Sequence, residues 1–132
     1  TMHTLNCWMA FQDGKPLLVG GTPGGDFQPQ GNAQVLINLL DFGMEPQQAI
    51  EAPRWWSFPG TDPATVEQPF EVRLEPHMPA EVARGLEARG HRVAQQAAGI
   101  SHGVFQVVVF DHARGIKIGA SDPRGDGYAA AV

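Results

Sequence analysis

The sequence is short of cysteine, of positive charge and of long apolar runs. Cys7 is the single cysteine among 132 residues, so an internal disulfide is excluded and the compartment is left open. No Cys/His spacing reads as a zinc site. Lys and Arg number 9 against 14 Asp and Glu, a net charge of −5. There is no basic footprint for nucleic acid, which is therefore not an expected partner. No apolar run approaches the roughly 20 residues of a membrane-spanning helix. Thr1-Met2-His3-Thr4 carries neither the basic region nor the apolar run of a secretory leader. Internal repeats and a clear linker are also lacking.

What is present is glycine and proline, 16 and 11 residues, within a chain that is 42% hydrophobic. That content supports a real core, and the length fits one domain or part of one. Asn6–Gln12 and Pro16–Gly20 read as strands joined by an Asp13-Gly14 hairpin turn. A helix is predicted from about Gln30 to Phe42, with Val35, Leu36, Leu39 and Leu40 on one face and Gly43 as its stop. Pro46 opens a short helix that ends before Pro53. Short strands are predicted at Arg54–Phe58 and Glu71–Leu74. Pro79 opens another helix, with Val82, Ala83 and Leu86 inward and Gly90 at its end. Strands follow near Arg92–Gln95, Val104–Phe110 and Ile116–Ala120. Strands mixed with helices at these lengths predict a layered α/β (α+β) architecture with mainly antiparallel pairing.

The most informative stretch is Leu17-Leu18-Val19-Gly20-Gly21-Thr22-Pro23-Gly24-Gly25-Asp26. An apolar strand runs into a glycine-rich turn just ahead of a helix. Such a turn can aim successive N–H groups at one point, which suits a bound anion or a developing oxyanion. It can equally be a tight connection with no ligand.

Several pieces of the chain, in order, resemble the gamma-glutamyltranspeptidase family. They are His3-Thr4-Leu5-Asn6, Asp13-Gly14-Lys15, Gly21-Thr22-Pro23-Gly24-Gly25-Asp26, Asp41-Phe42-Gly43-Met44, Ala49-Ile50-Glu51-Ala52-Pro53-Arg54 and Ala120-Ser121-Asp122-Pro123-Arg124. Each is weak singly; the ordered set is specific, and it is thinnest from Phe58 to Glu71. The resemblance implies the αββα sandwich of N-terminal-nucleophile hydrolases, of which this chain would be the C-terminal part of the small subunit. It implies an enzyme that cleaves gamma-glutamyl amides such as glutathione and passes the acyl group to water or an amine. An N-terminal threonine is the nucleophile, its own amine serving as base. No metal or organic cofactor is implied.

The resemblance assigns Gly24 and Gly25 to the oxyanion hole through their backbone N–H groups. It places His3 and Thr4 where well-known members have two serines on the substrate's alpha-carboxylate. Thr4 keeps a hydroxyl donor, whereas His3 departs from serine. Thr1 is not expected to be the nucleophile, because the family's threonine lies many tens of residues upstream of the His-Thr-Leu motif. Asp26 is expected to cap the next turn or hold the loop, and Arg54 and Arg124 to pair with carboxylates. Ser101, His102 and Asp111 offer triad ingredients without a nucleophile elbow, and read as polar loop residues. His77, His91 and His112 read as surface residues. Trp55-Trp56 beside Phe58 fits packing, an acceptor pocket or a subunit face. The expected partners are a small gamma-glutamyl substrate, the large subunit and the rest of the small subunit. The expectation for the chain alone is no turnover. The alternative is a non-catalytic module that binds a small anion at the glycine loop or self-associates through exposed sheet surface.

Overall fold

Asp13 and Gly14 close the first hairpin with left-handed backbone angles, φ 51° and 76°, the pair that a two-residue type I′ turn requires. They join strand β1 (Leu5–Gln12) to β2 (Lys15–Pro23), with Gln12 opposite Lys15 and Leu5 opposite Pro23. The computed structural model describes residues 5–61, 63–97 and 102–131. Along it follow α1 (Phe27–Leu40), α2 (Pro46–Glu51), β3 (Trp55–Phe58), β4 (Glu71–Leu74), α3 (Ala80–Glu87), β5 (Val93–Gln95), β6 (Gln106–Asp111) and β7 (Ile116–Ser121).

The strands form two sheets. One is antiparallel throughout in the order β1-β2-β6-β7. The other has the order β3-β4-β5, with β3 antiparallel and β5 parallel to β4. The parallel pair is joined through α3, since parallel strands need a crossover. Helix α1 lies against both β2 and β3, and α2 against β6 and β7. The core is Phe27, Val35, Ile50, Phe105, Val107 and Ala120, with Leu39, Trp56 and Val109 packed around it.

The fold class matches the expectation, and the helices correct it in detail. Helix α1 begins three residues before the predicted Gln30 and ends at Leu40. Pro29 does not delay it, because a first-turn residue needs no N–H partner. Gly24 and Gly25 supply the carbonyls that accept from Phe27 and Gln28 N–H, both at 3.0 Å. Its buried face runs Phe27, Gly31 and Val35, with polar Gln28 and Asn32 beside them; Leu40, grouped by sequence on one apolar face with Val35, is 52% exposed. Asn32 belongs there because its Oδ1 accepts from Trp8 Nε1 at 2.9 Å. No residue of α3 is buried. Ala83 and Leu86 are half-buried, while Val82, expected inward, is exposed, since α3 packs mainly along the short strand β5.

The four-stranded sheet is covered on one face by the helices. Its other face carries Met9 and Phe11, 51% and 61% exposed, and a groove of about 510 Å³ floored by Gly21, Val108 and Gly119 and walled by Tyr128 and Ala129. No helix among the described residues is long and apolar enough to cross a membrane.

Candidate functional site

The glycine loop takes backbone angles that other residues rarely adopt: φ 141° at Gly24 and 52° at Gly25. Both carbonyls are committed to the first turn of α1. Among the described residues, no group accepts a hydrogen bond from either N–H. Two adjacent free amides at a helix start suit an anion. Gly25 faces open space, with no atom within 4 Å of where a Cβ would stand.

Three braces hold this loop. At its entrance the Thr22 hydroxyl, buried, donates to Pro23 O at 2.8 Å and accepts from Val104 N at 2.8 Å. Gln28 Nε2 donates to Thr22 O at 3.2 Å. Gly103 lies against the same hydroxyl so closely that a Cβ there would sit 2.6 Å from Thr22 Oγ1. At the exit, Asp26 occupies the N-cap position of α1 but makes no side-chain capping bond. Its carboxylate instead accepts from Thr61 N at 2.5 Å and from Thr61 Oγ1 at 2.6 Å. Of the two roles expected for Asp26, holding the loop is the one observed.

Behind the loop lies a buried ionic network. Arg54, Glu75 and Asp122 are 3%, 7% and 0% exposed. Arg54 Nη2 donates to Asp122 Oδ2 at 2.9 Å, and Phe105 N donates to the same oxygen at 3.1 Å. Arg124 donates to Asp122 Oδ1 at 3.1 Å and to Glu75 Oε2 at 2.6 Å. Glu75 Oε2 also accepts from Arg54 N at 2.9 Å. Arg124 further bonds the carbonyls of Ile50, Glu51 and Ala52, which neutralises the end of α2. Two cations and two anions thus tie α2, β4, β6 and β7 at one point. Burial pushes the Arg54 pKa down, against the pull of Asp122 and Glu75. Burial also opposes the charge of Arg124, yet Glu75 and Asp122 carry its pKa above the ordinary value. Both stay cationic. Among the described residues Arg54 Nε and Nη1 have no hydrogen-bond partner, but Nε lies 3.7 Å from Glu75 Oε1 and the guanidinium sits 4.8 Å from the Phe105 ring centroid, where the ring face offsets part of the charge.

An aromatic cluster adjoins the loop. The His102 ring lies 4.0 Å from Trp56 and 5.9 Å from Phe27, centroid to centroid. Trp56 meets Phe58 edge-on at 5.2 Å, and the Arg73 guanidinium stands 3.3 Å over Phe58. Burial, then repulsion from Arg73 and Arg54, lowers the His102 pKa; Glu75 opposes this.

The residues singled out by sequence fare as follows. Gly24, Gly25 and Asp26 share the loop. Arg54 and Arg124 share the network, as expected of architectural pairs. Thr1, His3, Thr4 and Ser101 lie outside the described residues. Asp111 is at the far end of β6, its carboxylate receiving Arg114 N at 2.9 Å, while His102 precedes that strand. His77, His91 and His112 are exposed. Trp55 is 43% exposed and Trp56 half-buried. Sequence reasoning missed Thr22, Gln28, Thr61 and Glu75, which act across gaps of 21 to 82 residues or within an unremarkable helix turn. Among the described residues no group of three or more His, Cys, Asp or Glu could hold a metal ion.

A family model described as Gamma-glutamyltranspeptidase matches residues 1–132. The chain is 35% identical over 137 residues to the Glutathione hydrolase-like YwrD proenzyme of Bacillus subtilis (strain 168), covering 100% of this chain and 24% of that protein. It thus spans about a quarter of the length of that relative. Among solved structures, the gamma-glutamyltranspeptidase from Pseudomonas nitroreducens complexed with L-DON superposes with a TM-score of 0.79 at 26% identity, over 99% of this chain and 63% of that one. The cephalosporin acylase from Bacillus halodurans gives a TM-score of 0.78 at 34% identity, over 90% of this chain and 20% of that one.

Proposed function

Because the chain belongs to the gamma-glutamyltranspeptidase family, we propose that it is the C-terminal part of the small subunit of an acyl transferase or hydrolase acting on gamma-glutamyl amides such as glutathione. The nucleophile is a threonine upstream of this chain, exposed as a new N-terminus when the precursor cuts itself. The single observation that carries the reading is the Gly24–Gly25 turn. Its two amides are unclaimed by any described acceptor, and its shape is enforced from both sides. They stabilise the tetrahedral oxyanion, first as the threonine hydroxyl attacks the gamma-carbonyl and again as water or an amine attacks the acyl-enzyme. One such donor contributes about 3–4 kcal/mol to transition-state stabilisation. His3 and Thr4 hold the donor's alpha-carboxylate.

The uncovered face of the four-stranded sheet, with Met9 and Phe11 outward, supports a second layer contributed by the rest of the protein. The relatives' names span glutathione hydrolase and cephalosporin acylase. They share amide cleavage, and the gamma-glutamyl group is the acyl donor we assign.

The experiment is hydrolysis of a chromogenic gamma-glutamyl anilide by this chain and by the intact, processed protein. Turnover is expected only from the intact protein. Turnover by this chain alone, lost when the Thr1 amine is blocked, would make Thr1 the nucleophile and overturn the assignment.

A further inference from the structure

We propose that Asp26 and Thr61 are positioning residues for the oxyanion site, fixing the aim of the Gly24 and Gly25 amides; this deepens the functional reading above and rests on it. Beside Gly25 no described atom beyond its chain neighbours lies within 4 Å of where a Cβ would stand, so no side-chain packing braces that side of the residue. The first side chain after it is the Asp26 carboxylate. A carboxylate at an N-cap ordinarily bonds the N–H groups of the first helical turn. Asp26 forgoes that bond and instead takes both the N–H and the hydroxyl of Thr61. Hydrogen bonds to an ionised carboxylate are about twice as strong as neutral ones.

The far end of the brace is itself anchored. Thr61 follows Gly60, whose φ of 76° lets the turn come so close that a Cβ would meet Asp26 Oδ2 at 2.6 Å. The turn continues β3, and β3 is fastened to α1 by Gln30 and Gln34. Backbone, carboxylate, turn and helix therefore close a loop of contacts around the two amides. Oxyanion donors must stand within a few tenths of an ångström of their target, and an error of about 1 Å costs on the order of 100-fold in rate.

The test uses the intact, self-processed protein that carries this chain and the gamma-glutamyl anilide as probe. Asp26→Ala and Thr61→Val are expected to lower kcat at least about tenfold, a fraction of what losing a donor outright costs. KM should stay within about twofold, because ground-state binding does not use the oxyanion donors. Thr61→Ser, which keeps the hydroxyl, should restore kcat. The double variant should be no slower than Asp26→Ala, which already removes both bonds of the brace, whereas Thr61→Val removes the hydroxyl bond alone. Gln47→Leu removes a comparable clamp at the β7 edge, two strands across the sheet from β2, and serves as the control: it should lower Tm and leave kcat unchanged. If Asp26→Ala does not accumulate, Thr61→Val against Thr61→Ser carries the test. Unchanged kcat in Thr61→Val, or a KM rise with kcat intact, overturns the positioning role while leaving the functional reading. A wild-type protein inactive on the anilide overturns the functional reading itself.

Discussion

Gln34 and Trp55 exchange two hydrogen bonds in the manner of paired strands. The side-chain amide of Gln34 donates to Trp55 O at 2.9 Å, and its carbonyl accepts from Trp55 N at 3.0 Å. One helical turn earlier, Gln30 Oε1 accepts from Ser57 N at 2.8 Å. Two glutamines at i, i+4 on α1 therefore saturate the open edge of β3, which would otherwise present unpaired backbone groups. Gln47 of α2 does the same for Ser121 on β7.

Gln34→Leu should accordingly destabilise the protein by about 1–3 kcal/mol, two net hydrogen bonds at about 0.5–1.5 each. Gln34→Glu keeps the acceptor but sets a carboxylate against Trp55 O, and should also destabilise. Urea midpoints give the cost. Faster amide exchange at Trp55, with β6 amides unchanged, would locate it at this edge; uniform change would contradict the edge-capping role.

These clamps show where sequence reading stops. The Asp13-Gly14 hairpin was legible because a two-residue turn constrains only its own residues. Strand β4 was legible from its run of residues, and the bounds of β5 and β6 within two residues. The end of α1 was legible from Gly43, but its start was not. It was expected near Gln30, and only the Gly24 and Gly25 carbonyls in the structure explain an earlier beginning. The buried face of α1, Phe27, Gly31 and Val35 with Gln28 and Asn32, differs from its apolar one because burial follows the partner, here Phe105 and Trp8, and not hydropathy alone. Of the site, the glycine loop and the two arginines were readable from local motifs. Glu75 and Thr61 were not: their partners lie 21 and 35 residues away, and no local pattern encodes such a distance.

Asp122 is the hub of the buried network, and its loss leaves the Arg54 guanidinium only the longer ion pair to Glu75 Oε1 at 3.7 Å. Asp122→Ala should cost about 3–5 kcal/mol, the usual penalty for breaking a buried pair from one side. It also deprives Phe105 N of its acceptor. A loss below about 1 kcal/mol in chemical denaturation would mean that water already reaches the Arg54 guanidinium.

His102 sets a pH dependence whose sign follows from its surroundings. Burial and Arg73 lower its pKa in the folded protein, while the unfolded chain titrates near the ordinary value of about 6.5. Between those two values the unfolded state holds more protons, so stability rises with pH there. Stability from this group is complete above about pH 6.5 and is lost as pH falls through the folded pKa. His102→Phe should flatten that part of the curve. Parallel wild-type and variant curves from pH 7.5 down to 5 would show that the imidazole plays no such role.

Gly24 and Gly25 should respond differently to alanine. At Gly24 the required φ of 141° is open to almost no other residue, although a Cβ would meet Gly103 N only at contact distance, 3.4 Å. The loop must then re-form, with both amides displaced. Gly24→Ala should lower kcat of the intact protein by about 10²–10³, the scale of a lost oxyanion donor. Gly25 at φ 52° has room for the methyl group and meets only the left-handed penalty of about 1–2 kcal/mol. Gly25→Ala should therefore lower Tm more clearly than it lowers kcat. The reverse order of kcat losses would place the critical geometry at Gly25.

Gly31 tests the link between core packing and the loop. It lies on the buried face of α1, where a Cβ would overlap the Phe27 ring and stand 2.8 Å from Phe105 Cζ. Replacing a mid-helix glycine by alanine gains about 1 kcal/mol of helix propensity. Overpacking a tight core costs about 1–3 kcal/mol. The second effect wins here, because both rings are fully buried and neither can swing away. Phe27 is also the first residue of α1, two beyond Gly25, and it packs against Gly103. Displacing it moves the turn whose carbonyls hold the helix start. Gly31→Ala should therefore lower both Tm and kcat, whereas Gly85→Ala, in a helix with no buried residue that packs mainly along β5, should change neither beyond the small propensity gain. A stabilised Gly31→Ala protein with full activity would show that the core yields without disturbing the loop.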